Sequence, residues 1–195
     1  MVVNNFRILL MAMMFGLLPV SAMAEEAKPA TAPVTPLEKL DVATKDILKG
    51  LDENQAKQFS AISNSYSVIR SVEDVQQSIS VAVESCGVAN PDLNQSISDR
   101  FESWKEAVRP VMKKARTKLD KMVLLQSFTQ PSQLRAYLKK FDDAIIFRNQ
   151  KLKPTPIHAM EDCKRLQASM DDTQNNLVRL ITESLALNED LKVKE

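Results

Sequence analysis

The stretch ESCGVANPDL, residues 84–93, marks a corner between two long amphipathic segments. Gly87 suits the left-handed position just past a helix end. Asn90 followed by Pro91 is typical of an N-cap and a first helical residue. Cys86, one of only 2 cysteines, falls in the last turn before the corner. The stretch therefore predicts that one helix ends near Cys86, that another begins near Pro91, and that a disulfide ties this hairpin to a distant segment.

The segment before the corner carries apolar residues spaced by threes and fours, the spacing of one helix face. They are Phe59, Ile62, Tyr66, Ile69, Val72, Val75, Ile79, Val83 and Cys86. Asp52 and Gln55 match a capping box, so we expect a helix from about 52 to Cys86. Residues 80–83 also have strand propensity, but the helical spacing continues through them.

The segment after the corner has the same pattern and predicts a helix over about 91–127. Its apolar stripe is Leu93, Ile97, Phe101, Trp104, Val108, Met112, Ala115, Leu119 and Met122. Pro110 lies inside this range and removes one backbone hydrogen bond. We expect a kink there, with a break into two helices as the alternative, because the stripe continues past the proline. Trp104, the only tryptophan, is expected in the core.

Three more helices complete the pattern. Thr35 and Glu38 flank Pro36 in a second capping box, which predicts a short helix over about 36–49. Further helices are expected over about 131–152, which begins at a proline, and from Thr155-Pro156 to about Leu187.

These elements predict an all-α protein. Four long helices joined by short corners favour an elongated up-down-up-down four-helix bundle with a short extra N-terminal helix. In that topology a Cys86–Cys163 disulfide joins two helix termini at the same end. The predicted lengths of about 55 Å for 91–127 and about 33 Å for 131–152 conflict with this pairing. A bend at Pro110, or an earlier end of the helix before the corner, would remove the conflict.

Residues 1–24 predict a cleaved secretory signal peptide. Arg7 precedes the apolar run 8–20, which is too short for a membrane span, and Ala22-Met23-Ala24 fits a cleavage site. Residues 25–35 are rich in Pro, Ala and Thr and predict a disordered tether. We expect one helical domain over 36–187 and a frayed tail over 188–195. The chain is therefore expected to be periplasmic or secreted.

Charge and cysteine content narrow the possible functions. Removing Arg7 with the signal peptide takes the basic count from 26 to 25, equal to the 25 acidic residues. A neutral chain gives no argument for nucleic-acid binding. In an oxidising compartment, two cysteines most simply form one disulfide, whereas free thiols or an intermolecular bond are the alternatives.

The most polarised segment is Lys105–Lys121, which is a candidate docking site for an anionic partner or membrane surface. Its basic residues are Lys105, Arg109, Lys113, Lys114, Arg116, Lys118 and Lys121. The alternative is ordinary surface charge that pairs with acidic residues of other helices. The candidates for that pairing are Asp142–Asp143, Glu161–Asp162 and Asp171–Asp172.

Other chemistry has weak support. His158, Glu161 and Asp162 could share a helix face and ligate a divalent metal, but acidic residues also favour a helix N-terminus. His158 with Met112, Met122 or Met170 could hold haem, although core methionine is usually filler. Nucleotide-loop and hydrolase motifs are absent from the sequence. No cofactor and no metal is therefore expected.

The sequence favours a non-enzymatic exported protein that acts through protein–protein or envelope-surface contacts. The alternative is a small-ligand, metal or haem carrier that uses the bundle core. The partner in the first hypothesis is an unknown protein or an anionic envelope surface.

Overall fold

The structure, a computed structural model, describes residues 34–151 and 156–187. These residues form five helices and no strand, which confirms the all-α prediction. The helices are α1 (Pro36–Lys49), α2 (Glu53–Ala89), α3 (Pro91–Leu125), α4 (Pro131–Gln150) and α5 (Met160–Ser184). The predicted signal peptide over 1–24, the tether up to residue 33 and the tail over 188–195 lie outside the described residues.

The first two helices begin at the predicted capping boxes. The Glu38 backbone N–H donates to the Thr35 hydroxyl, and the Thr35 backbone N–H donates to the Glu38 carboxylate at 2.7 Å. The bond from the Thr35 backbone N–H, together with one from the Thr35 hydroxyl to the same carboxylate, lowers the pKa of Glu38. Asp52 and Gln55 form the same reciprocal pair at the start of α2.

The corner between α2 and α3 differs from the prediction. α2 continues to Ala89, so Gly87 lies inside the helix and not in a left-handed position after it. Packing explains the glycine, because a Cβ at Gly87 would lie 2.9 Å from Cγ of Asn94 on α3. Asn90 precedes α3 as its N-cap residue, but its side chain makes no capping hydrogen bond.

The later helix bounds also need correction. α3 runs through Pro110 without interruption, so the alternative of two separate helices is wrong, and it ends at Leu125. α5 begins at Met160 and not at Pro156, since residues 156–159 are non-helical and carry Ile157 against the core. The helix ends at Ser184, and a turn follows to residue 187.

The late start of α5 removes the predicted length conflict. At 1.5 Å per residue, α4 is about 30 Å long and α3 about 52 Å. Residues 151–159 separate α4 from α5, which leaves enough chain for Cys163 to lie beside Cys86. The Cys86–Cys163 disulfide is present, with 5.7 Å between the two Cα atoms, and this prediction is confirmed.

Helices α2 and α3 form an antiparallel hairpin against which the other helices pack. α5 contacts both of them, whereas α1 packs on α4, and α4 contacts α3. Phe59 of α2 packs against Tyr137 of α4 with ring centroids 5.1 Å apart. α4 therefore reaches α2 through long side chains.

The predicted apolar stripes form the core. Trp104 is 0% exposed and stacks on Phe101, which confirms its expected core position. The largest fully buried side chains besides Trp104 are Ile62, Ile97, Leu134, Met170 and Ile181. Four stripe positions, Tyr66, Val75, Leu93 and Met122, are only partly buried.

Candidate functional site

The seven basic residues of the Lys105–Lys121 segment fall into two groups. Four contact other groups of the protein: Lys105 with Glu102, Arg109 with Glu106, Arg116 with Glu73 of α2, and Lys118 with the carbonyl oxygen of Ala186. Lys113, Lys114 and Lys121 are exposed and have no ion pair within residues 34–151 and 156–187. Within the described part of the chain, these last three are the cations of the segment that remain open to a partner.

The acidic pairs that could have neutralised this segment lie elsewhere. Asp142 pairs with Arg70 of α2, Asp171 with Arg100 of α3, and Asp162 with Arg165 of its own helix. Within the part of the chain that the structure describes, no ion pair joins these aspartates to the Lys105–Lys121 segment. The predicted pairing across helices is therefore made mainly by Glu73, which the sequence analysis did not single out.

The three unpaired lysines line a cleft of about 650 Å³ between α2 and α3. We call this feature the basic cleft. Its lining residues are Gln58, Ala61, Ile62, Lys113, Lys114, Thr117, Lys118, Lys121, Met122, Leu125, Gln126 and Leu187. This set contains four lysines and no carboxylate, together with several apolar residues, so the lining is both positively charged and partly apolar.

The cleft is open because α5 stops before α3 does. Lys118 donates a hydrogen bond of 3.3 Å to the carbonyl oxygen of Ala186, just past the end of α5. From Lys118 to Leu125, α3 continues for about two turns. Along those turns α5 does not cover the groove between α2 and α3.

Exposed apolar side chains adjoin the basic cleft. Leu125, which lines it, is 81% exposed, and the neighbouring Leu124 is 56% exposed. Single exposed leucines are ordinary on a protein surface. Two of them beside three unpaired lysines produce a surface that is both apolar and cationic.

A separate polar network joins α2 to α4. Tyr66 donates a hydrogen bond of 2.5 Å to Asp142, and Nε of Arg70 lies 3.0 Å from the other carboxylate oxygen. Burial, together with the hydrogen bond and charge of Asp142, raises the pKa of Tyr66. Burial acts to lower the pKa of Arg70, but Glu73, Asp142 and Asp74 outweigh it and raise that pKa. The network holds two helices together, and Tyr66 and Asp142 also line a small cavity of about 260 Å³.

The disulfide end of the molecule does not assemble the weak metal candidates. His158 is exposed and precedes α5, so it does not share a helix face with Glu161 and Asp162. Glu161 pairs with Lys164 at 3.2 Å, and Asp162 pairs with Arg165. The described residues contain no group of three or more His, Cys, Asp or Glu side chains that could hold a metal ion.

The methionines proposed as haem ligands lie far from His158. Asn90 precedes α3, and its side chain is hydrogen-bonded to the carbonyl oxygen of His158, so His158 lies at the start of that helix. Met112 and Met122 are roughly 33 Å and 48 Å further along that helix, by its rise per residue. Met170 is buried in the core, well inside α5. The structure does not bring any of these pairs together.

The fold and the site define an all-α protein that is cross-linked at one end and has an open basic cleft in its other half. No family model, curated protein or solved structure matches the chain. Among the helices that the structure describes, none has both the length and the apolar character needed to cross a membrane.

Proposed function

We propose that this chain is an exported, non-enzymatic helical-bundle protein that acts by surface contact with a protein or with the anionic surface of the cell envelope. Export is supported by the signal-peptide pattern of residues 1–24. It is also supported by the Cys86–Cys163 disulfide, which is compatible with an oxidising compartment. The compartment is then the periplasm or the exterior.

The architecture that fits these contacts is an up-down-up-down bundle. The pairs Arg116–Glu73 and Met122–Ser65 support antiparallel α2 and α3. Helix α4 follows the direction of α2, since Phe59 contacts Tyr137 and Tyr66 contacts Asp142. Helix α5 follows the direction of α3, since Arg100 contacts Asp171 and Lys118 contacts Ala186. Contact between the parallel helices α3 and α5 makes the arrangement less symmetric than a square bundle.

One observation carries the proposal: Lys113, Lys114 and Lys121 are exposed, unpaired among the described residues, and adjacent to Leu124 and Leu125. Basic residues near an anionic membrane surface contribute about 1 kcal/mol each. Exposed leucines beside them add an apolar contact, which a partner with a fully polar surface would not use. An anionic envelope surface is therefore favoured over a protein partner.

Binding to vesicles tests this proposal. The variant Lys113→Ala/Lys114→Ala/Lys121→Ala is expected to bind phosphatidylglycerol-containing vesicles about 100-fold more weakly at low salt, because three contributions of about 1 kcal/mol are lost. Retention of the unaltered chain should also fall with added salt. Co-sedimentation over a lipid titration measures both effects.

The matched control removes three lysines that do not line the basic cleft. Lys45, Lys49 and Lys57 are exposed on α1 and α2 and pair with carboxylates of their own helices. Replacing them by alanine changes the net charge by the same amount. Equal loss of vesicle binding in both triple variants would contradict docking through the basic cleft. Vesicle binding that neither triple variant reduces would contradict contact with the envelope surface through these charges.

The carrier hypothesis is supported by a different feature from the one expected. The basic cleft, and not the bundle core, offers space for a ligand, and its volume lies in the usual range for small-molecule sites.

A further inference from the structure

The basic cleft combines two features that favour one class of ligand. Leu125 and the partly buried Met122 supply exposed apolar surface, while lysines stand along the α3 side. A purely polar anion would leave that apolar surface in contact with water. A neutral apolar ligand would leave the lysines unused. The lining therefore complements a molecule with one apolar part and one anionic part.

The size of the cleft indicates how large that molecule is. About 650 Å³ lies within the range of 300–1,000 Å³ that small ligands occupy. A stable protein interface needs about 800 Å² of surface from each partner, more than a cleft between two helices supplies. A single acyl chain with a compact head group fits the available space better.

We infer that the basic cleft binds a single-chain anionic lipid. The acyl chain lies over Met122 and Leu125, and the carboxylate or phosphate head group is held by Lys113, Lys114 and Lys121. This inference deepens the proposed function, because it names the ligand class that the same surface would take from an anionic envelope.

Isothermal titration calorimetry on the purified chain tests the inference. The probe is lauroyl lysophosphatidylglycerol below its critical micelle concentration, compared with lauroyl lysophosphatidylcholine and with glycerol phosphate. We expect one bound anionic lipid per chain, at least tenfold weaker binding of the zwitterionic lipid, and no measurable binding of glycerol phosphate. Equal affinity for the two lipids would overturn the inference.

A variant that fills the cleft without changing its charge separates this site from general surface attraction. Ala61 lines the cleft and is exposed on α2, so Ala61→Trp is expected to fold and to bind the anionic lipid at least tenfold more weakly. Ala107→Trp, at an exposed position of α3 outside the cleft lining, is the control and should leave binding unchanged. Unaltered lipid binding by Ala61→Trp, with a thermal melt matching that of the control, would overturn the inference.

The chain itself offers a competing occupant. Residues 188–195 follow Leu187 at the edge of the cleft and include Glu189 and Asp190. Deleting these residues should change the affinity for the anionic lipid by no more than about threefold relative to the unaltered chain. Binding that appears only after the deletion would overturn the inference for the full chain.

The two proposals can fail separately. Loss of lysolipid binding in Ala61→Trp with vesicle retention intact would support both a specific lipid site and general surface docking. Absence of lysolipid binding in the unaltered chain, with lysine-dependent vesicle retention, would remove the inference and leave the proposed function. Vesicle retention independent of the three lysines would remove the proposed function whatever the lysolipid result.

Discussion

The side-chain amide of Asn90 donates a hydrogen bond of 3.0 Å to the backbone carbonyl oxygen of His158. The same amide lies 3.2 Å from the carbonyl oxygen of Cys86, and Asn90 is buried. A single side chain therefore joins the α2–α3 corner to the segment that leads into α5, directly beside the disulfide. The carbonyl oxygen of Cys86 also accepts a hydrogen bond from the Asn90 backbone N–H at 2.9 Å, so Asn90 contacts this oxygen twice.

Replacing this amide should weaken the corner. Asn90→Ala removes the donor to the His158 carbonyl oxygen, whereas the Cys86 carbonyl oxygen keeps its bond from the backbone N–H of residue 90. We expect the free energy of unfolding to fall by about 1–3 kcal/mol. Urea denaturation monitored by circular dichroism measures the change. Asn94→Ala, at an exposed position one turn further along α3, is the control. Equal stability of the two variants would contradict the structural role of Asn90.

Removing the disulfide should have a larger effect. A Cys86→Ala/Cys163→Ala variant is expected to lose about 4 kcal/mol of unfolding free energy, because its unfolded chain is no longer constrained by a loop of this length. Non-reducing peptide mapping of the unaltered chain should recover the two cysteines in one linked fragment. Reduced wild-type chain should match the double variant in urea, and two free thiols in the native chain would contradict the pairing.

Tyr66 should make stability depend on pH in the alkaline range. Its folded-state pKa is raised, so its contribution is fully present below about pH 10, the unfolded value. The contribution falls as the pH rises above that value, because only the unfolded chain then releases the proton. We expect Tyr66→Phe to be less stable than the unaltered chain at pH 7 by about 1–3 kcal/mol, and this difference to shrink above pH 10.

Urea denaturation at pH 7, 9 and 10.5 measures that difference. Tyr137→Phe is the matched control, because the Tyr137 hydroxyl contacts Thr44 at 3.2 Å and no carboxylate. A difference between Tyr66→Phe and the unaltered chain that stays constant with pH would contradict the raised pKa.

Gly87 provides a test of its helical position. Alanine is about 1 kcal/mol more favourable than glycine inside a helix, but a Cβ here must displace the exposed side chain of Asn94. We expect Gly87→Ala to be within about 0.5 kcal/mol of neutral, and to stabilise by about 0.5–1 kcal/mol in an Asn94→Ala background. Thermal denaturation of the four chains in this cycle measures both effects. Strong destabilisation in both backgrounds is what a left-handed Gly87 would give.

Much of the fold depends on local interactions that can be predicted directly from the sequence. The starts of α1 and α2 could be predicted because each is a capping box, in which two residues within one turn hydrogen-bond each other's backbone N–H. The pairs are Thr35 with Glu38 and Asp52 with Gln55. The stripe from Phe59 to Cys86 also required only helical spacing. The disulfide followed from the presence of two cysteines and from the expected compartment.

Other features depend on contacts between distant residues. Thr155-Pro156 resembles a helix start, yet α5 begins at Met160, because the preceding segment packs Ile157 on the core and presents the His158 carbonyl oxygen to Asn90. Gly87 resembles a terminator, but the nearby Asn94 side chain accounts for it. No local pattern carries information of this kind.

The candidate site was predicted only in part. The Lys105–Lys121 segment was identified from its composition, but sequence alone did not separate Lys113, Lys114 and Lys121 from their paired neighbours. The basic cleft depends on where α5 ends relative to α3, a register set by the Cys86–Cys163 bond and by helix lengths. Exposed Leu124 and Leu125, adjacent in sequence at the end of α3, were the one available signal.

The position of the Cys86–Cys163 bond creates a gradient of local stability along α5. Near Cys163 the helix is covalently anchored, so partial opening there is strongly restrained. Towards Ser184 the helix is held without a covalent link, by packing and by the Lys118–Ala186 hydrogen bond among the described residues, and segments of this kind open at lower free energy. Local opening of α5 is therefore expected beside the basic cleft. Detachment of the last turn of α5 would widen the entrance to the cleft, while the disulfide would keep the rest of the helix in register.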